Sequence, residues 1–121
     1  MKHNDLQKKI THYMSQFCRT KVNVVSTNGM RGVSDLLFCY RGIFIAVEVK
    51  VGADKLRNSQ IAFLNAVIDD GGVGLVIHEK HFSVFKALMT EWHLHGSEKI
   101  PLIIPLELLP PKEAKVKGFT F

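Results

Sequence analysis

The sequence predicts an α/β fold, a small mixed β-sheet flanked by helices in the order α-β-β-β-α-β-α. Three observations predict it. Two β-prone runs, Leu36 to Tyr40 and Ile43 to Val49, are separated only by Arg41-Gly42, the length of a tight hairpin turn. A stretch with helical spacing, Asn58 to Asp70, then leads to another apolar run, and a connection of that length permits a right-handed crossover. Finally, 121 residues with 46% hydrophobic and 22% charged side chains make one domain (residues 1–121) able to bury a core without staples.

Each element has its own signal. Leu6, Ile10, Tyr13, Met14 and Phe17 recur at helical spacing, which predicts a first helix over Asp5 to Phe17, with Asn4 or Asp5 as its cap. Lys21 to Ser26 alternates enough for a first strand. Thr27 to Gly32 is a glycine-bearing loop that delivers the chain to Asp35. After the hairpin, Gly52 to Asn58 is a polar connection. The second helix presents Ile61, Leu64, Val67 and Ile68 on one face and stops at Gly71-Gly72. Val73 to His78 is apolar without alternation, the pattern of a strand buried on both faces. A third helix is expected from Lys80 to His93, with Phe82, Phe85, Leu88, Met89 and Trp92 as core or subunit interface. Residues 100–121 hold all four prolines and read as an irregular C-terminal appendage.

Charge and cysteines narrow the function classes. The net charge is +5, and residues 1–50 carry all of that surplus, with eight Lys/Arg against three acids. This suits a polyanionic partner, although a solvated basic face has the same composition. Cys18 and Cys39 form no disulfide framework and lack metal-ligand spacing; Cys39, inside a strand, is expected to be a small buried hydrophobe. There is no signal-peptide pattern and no membrane-length apolar run, so the expected location is the cytoplasm, with no membrane partner.

The chemistry concentrates at one end of the hairpin. A two-residue turn at Arg41-Gly42 pairs residues whose numbers sum to 83, setting Tyr40 opposite Ile43 and Asp35 opposite Glu48. Lys50 shares the face of Glu48 because side chains alternate along a strand. Two carboxylates and one ammonium then converge where apolar side chains would be expected, and a divalent cation would relieve the repulsion. A three-residue turn with a bulge would shift this register by one. Glu-x-Lys on a strand is also common as a salt-bridged sheet edge, so the joint register, the apolar flanks and Gln60 carry the weight.

These residues resemble a known signature. Ser34-Asp35, Glu48-Val49-Lys50 and Gln60 on the next helix are similar to the PD-(D/E)XK nuclease motif. Closer still, Gly32-Val33-Ser34-Asp35-Leu36-Leu37, Ala46-Val47-Glu48-Val49-Lys50 and Gln60-Ile61-Ala62-Phe63-Leu64 resemble the virus-type replication-repair nuclease (VRR-NUC) family, as in a stand-alone phage or bacterial member. Leu6 to Ile10 and Gly71 to Val73 extend the likeness over roughly residues 4 to 80. The resemblance implies a restriction-endonuclease-like core and Mg²⁺- or Mn²⁺-dependent hydrolysis of phosphodiester bonds in DNA. It implies Asp35, Glu48 and the Val49 carbonyl as metal ligands, Lys50 on the attacking water or phosphate, and Gln60 orienting Lys50 or the water. Family members often carry a glutamate in the first helix that joins the metal. This chain has none before Glu48, and Asp5 is the nearest candidate ligand, with a shorter reach.

Arg31, Lys55 and Arg57 lie on the two loops entering this end of the hairpin and are candidate phosphate contacts. His3, His12, His93 and His95 read as surface groups. The expected function is a structure-selective endonuclease, a four-way (Holliday) junction resolvase first, acting as a homodimer on branched DNA, with replication or repair proteins as recruiting partners. The alternatives are a flap or fork nuclease and a non-catalytic DNA-binding module on the same fold. A chain this short leaves little room for a separate module that reads base sequence.

Overall fold

The hairpin at the centre of the protein is built as its two-residue turn requires. In the computed structural model, which describes residues 1–24, 32–95 and 103–112, Arg41 and Gly42 both take positive φ, 51° and 81°. That pair of angles matches the right-handed twist of the strands it joins. The register follows: β2 (Leu36–Tyr40) and β3 (Ile43–Lys50) pair antiparallel, with Tyr40 opposite Ile43 and Leu36 opposite Val47. These pairs sum to 83; the ladder ends at Leu36–Val47, and Asp35, one residue before β2, meets β3 through its side chain, which accepts the Val49 N–H.

Four strands form one sheet in the order β1-β2-β3-β4. β1 (Thr20–Asn23) is an exposed edge strand, antiparallel to β2. β4 (Val73–His78) runs parallel to β3, so the sheet is mixed, as expected. The helices α1 (His3–Met14), α2 (Asn58–Asp69) and α3 (Phe82–His95) complete the predicted order.

Period-two alternation divides the sheet into two faces. Ile45, Val47 and Val49 of β3 join Leu36, Phe38 and Tyr40 in the main core, together with Leu6, Ile10 and Met14 of α1 and Phe85, Leu88, Met89 and Trp92 of α3. Each fully buried aliphatic side chain there contributes roughly 1.5–3 kcal/mol. The opposite face is covered by α2, where Leu64 and Val67 pack on Ala46, with Leu37, Phe63 and Val76 around them. Glu48 and Lys50 belong to this second face, beyond the apolar cover, at the end of β3 nearest the start of α2.

Several boundaries and placements differ from the sequence reading. α1 runs from His3 to Met14, and Ser15 to Phe17 close it in tight turns onto Thr11, His12, Tyr13 and Met14 carbonyls. α3 is preceded by a 3₁₀ turn, Glu79–His81, because the His78 ring accepts the Lys80 N–H and tightens the entry. The expected end of β1 at Ser26 lies outside the described residues. Cys39 is exposed rather than buried. It alternates with Phe38 and Tyr40 onto the α2 side of the sheet, near the hairpin turn, and its cross-strand partner Phe44 is 43% exposed there too. The described part of the C-terminal segment is partly core: Leu108, in a 3₁₀ turn, is fully buried, and the Pro111 carbonyl accepts a hydrogen bond from Asn65. Among the described residues, no helix is long and apolar enough to cross a membrane.

Candidate active site

The site is assembled from four segments that meet at the open end of the hairpin. The β3 strand supplies Glu48, Val49 and Lys50. The approach to β2 supplies Asp35, the first turn of α2 supplies Gln60, and the first turn of α1 supplies His3.

Glu48 is 2% exposed, among apolar strand residues. Its Oε1 accepts a hydrogen bond from Gln60 Nε2 at 2.9 Å. Its Oε2 is buried and accepts no hydrogen bond from any donor among the described residues. The Asp35 carboxylate lies beside it, near enough to act on it electrostatically and to share a proton with it when Glu48 is protonated. Burial first, and then the Asp35 negative charge, push the Glu48 carboxyl up to about 8, while the Lys50 ammonium pulls the other way. The carboxyl therefore holds its proton more readily than an ordinary glutamate, and a cation placed beside it would reverse that.

Asp35 is fixed by the backbone. Its Oδ2 accepts the Val49 N–H at 2.8 Å, a bond across the open end of the hairpin. Gly32, three residues earlier, has φ +85°, and a Cβ there would lie 2.7 Å from the Ser59 carbonyl oxygen. Only glycine lets the incoming loop lie this close to the first turn of α2. Ser34 is fully buried, and its hydroxyl has no hydrogen-bond partner among the described residues.

Gln60 ties the site together. As the third residue of α2 it accepts the Arg57 N–H at 2.8 Å, the return bond of a helix capping box. The same Oε1 accepts from Lys50 Nζ at 3.2 Å, while its Nε2 donates to Glu48. The amide therefore sets the spacing of Glu48 and Lys50, whose Oε1 and Nζ stand 4.0 Å apart. Lys50 is 13% exposed, held at the rim rather than in solvent.

His3 is the residue sequence reasoning missed. Its Nε2 lies 3.1 Å from the Val49 carbonyl oxygen and 3.3 Å from Asp35 Oδ2. A signal was present. His3 precedes Leu6 by three and Ile10 by seven, so it extends the buried stripe of α1 to the end of the sheet. Asp5 stands off that stripe and is exposed, and its expected place beside the carboxylates is taken by His3. Lys55 and Arg57 are exposed on the β3–α2 loop. Arg31 lies outside the described residues.

Among the described residues, no three His, Cys, Asp or Glu side chains are gathered into a ready-made metal cage. The donors at the hairpin end nonetheless suit a hard divalent cation: two carboxylates and a backbone carbonyl, one carboxylate oxygen buried and unpaired. A groove lies between α1 and β1. Asn4, Gln7, Lys8, Thr11, His12, Ser15, Lys21 and Asn23 line it, with no carboxylate among them. No protein-family model matches this chain, and no curated protein matches it significantly.

Proposed function

We propose that this chain is a metal-dependent endonuclease with a PD-(D/E)XK-type site. One observation carries the reading: Glu48 Oε2 is buried without a partner beside a second carboxylate, an arrangement that calls for a cation. Asp35, Glu48 and the Val49 carbonyl would hold Mg²⁺ or Mn²⁺. The ion would supply Lewis-acid neutralisation of the charge that builds on a scissile phosphate.

The protein's own groups have distinct tasks. Lys50 brings a cationic N–H donor to the non-bridging oxygen or the attacking water. Gln60 keeps Lys50 from collapsing onto Glu48 by bonding both. The Val49 N–H holds Asp35 in one orientation, so little reorganisation is needed at reaction. Exposed Lys55 and Arg57 would meet the phosphates flanking the cut. The groove lined by Lys8, Lys21 and His12 would take a further stretch of backbone, because its donors face a polyanion without a repelling carboxylate.

The substrate assigned is branched DNA, a four-way junction first, cut by a homodimer. One such site hydrolyses one strand, and a two-fold junction needs two symmetric cuts. Ile103 and Leu106, 86% and 83% exposed, offer an apolar contact at the C-terminal segment. The large side chains of α3 contribute less than expected, since Phe85, Leu88, Met89 and Trp92 are spent on the core.

The test is cleavage of labelled junctions, flaps, forks and plain duplex with Mg²⁺ or Mn²⁺, alongside light scattering. Symmetric nicking of junctions by a dimer supports the full reading. A monomer that cuts flaps and spares junctions replaces it with a flap nuclease. Binding without cleavage under any divalent ion leaves a non-catalytic DNA-binding module.

A further inference from the structure

The position of His3 goes beyond a link between α1 and the sheet. Its Nε2 stands 3.1 Å from one oxygen and 3.3 Å from another. One N–H has one direction and serves only one of two such acceptors well. Neighbouring donors around an octahedral ion with bonds of about 2.1 Å are themselves about 3 Å apart. The separations of His3 Nε2 from the Val49 carbonyl and from Asp35 Oδ2 are of that size. The two oxygen donors are held in place and the helix that carries His3 is anchored, while the imidazole itself is partly open to solvent. Asp35 is bonded to the Val49 N–H, the Val49 carbonyl belongs to the strand, and α1 is anchored by Leu6, Ile10 and Met14, at 0–1% exposure. The unpartnered oxygen of Glu48 at the same end of the hairpin is a second sign that a ligand belongs here.

We propose that His3 supplies an imidazole nitrogen to the cation site of Asp35, Glu48 and the Val49 carbonyl, so that this site takes Mn²⁺ and other transition-metal ions in preference to Mg²⁺. The inference rests on the nuclease reading of this site and names its metal. A carbonyl oxygen can only accept, so Nε2 carries the hydrogen in the metal-free protein. The other neutral tautomer carries it on Nδ1 and presents the Nε2 lone pair from the same ring position. Carboxylate and carbonyl oxygens alone suit Mg²⁺, Ca²⁺ and Mn²⁺ alike. An added imidazole favours the ions further along the transition series, and Mg²⁺ gains little from it.

The experiment uses the full chain and Mn²⁺ itself. Loss of the free-ion electron paramagnetic resonance signal gives the affinity, Mg²⁺ competition gives the preference, and spin-echo modulation reports a directly bound ¹⁴N. The expected wild-type result is nitrogen modulation from a bound imidazole. His3→Ala should abolish it and weaken Mn²⁺ binding by about tenfold or more, since even groups that merely orient a ligand cost that much. Mg²⁺ binding should change far less. His3→Asp should regain affinity without nitrogen modulation and narrow the gap between the two ions. Mn²⁺ binding that needs Asp35 and Glu48 but shows no nitrogen coupling, and is unchanged in His3→Ala, would overturn the inference and leave the nuclease reading standing. Mn²⁺ binding unchanged in Asp35→Asn and in Glu48→Gln would overturn both.

Discussion

The two ends of the β2–β3 hairpin contrast sharply. At the closed end, Arg41 and Gly42 make a turn whose geometry is local, and neighbouring Cys39 and Phe44 are exposed. At the open end, Asp35, Glu48 and Lys50 are covered by the first turns of α1 and α2, which bring His3 and Gln60 to them. The same pair of strands thus ends once in solvent and once in a partly desolvated charged cluster. Desolvation is what couples the charges at the second end, because they act strongly on one another only where water is excluded.

The largest test of this contrast is catalytic. Asp35→Ala, Glu48→Ala and Lys50→Ala should each lower cleavage of branched DNA by about a thousandfold or more. Cys39→Ser, at the other end, should leave the rate unchanged. Circular dichroism should show all four variants folded. A triad variant that keeps near-full activity would place the chemistry elsewhere.

Stability against pH should separate the two ends next. With chelator present, the native protein keeps a proton on Glu48 between about 4.5 and about 8, where the unfolded chain has released it. The stability linked to this group is fully present below pH 4.5 and is lost as pH rises through about 8, by up to about 1.4 kcal/mol per pH unit. Urea unfolding at pH 5.5 and 8.5 reads this, and Glu48→Gln should flatten it. Saturating Mn²⁺ should also flatten it, by stabilising the charged form.

A glycine at each end sharpens the comparison at the backbone. Gly42→Ala meets nothing within 4 Å, so only its positive φ is penalised, about 1–2 kcal/mol. Gly32→Ala carries the same penalty and adds the clash with the Ser59 backbone. It should be the more destabilising of the two by chemical denaturation. Equal losses would mean that the loop before Asp35 gives way easily.

The smallest effects belong to the rim. Lys55→Ala and Arg57→Ala should each lower the slope of log affinity against log salt by about one unit on duplex arms. Lys8→Ala and Lys21→Ala probe the α1–β1 groove in the same way. Unchanged slopes for all four would put the nucleic acid on another face.

Much of the candidate site can be read from the chain because it depends on short-range rules. The hairpin register follows from a two-residue turn, and alternation puts Lys50 beside Glu48. Gln60 is the exception: the family resemblance points to it, whereas a lone glutamine in a first helical turn is more often solvated. Asp5 and His3 show where such reading stops. Both stand in the first turn of one helix, and carboxylate chemistry favours Asp5. The stripe through Leu6 and Ile10, however, turns His3 inward and Asp5 to water. Cys39 shows the same limit. Alternation puts it on the α2 side of the sheet, and only the length and position of α2 leave it bare.

The sequence by itself determined the order of the elements, the turn, the β2–β3 register and the nearness of Asp35 to Glu48, because each follows from backbone sterics and periodicity within a few residues. Only the tertiary structure decided that Glu48 keeps an orphaned oxygen, that Gln60 bridges it to Lys50, and that His3 arrives at the Val49 carbonyl. Those outcomes depend on where α1 and α2 come to rest on the sheet, and that is set by how apolar side chains far apart in the chain fill the two cores.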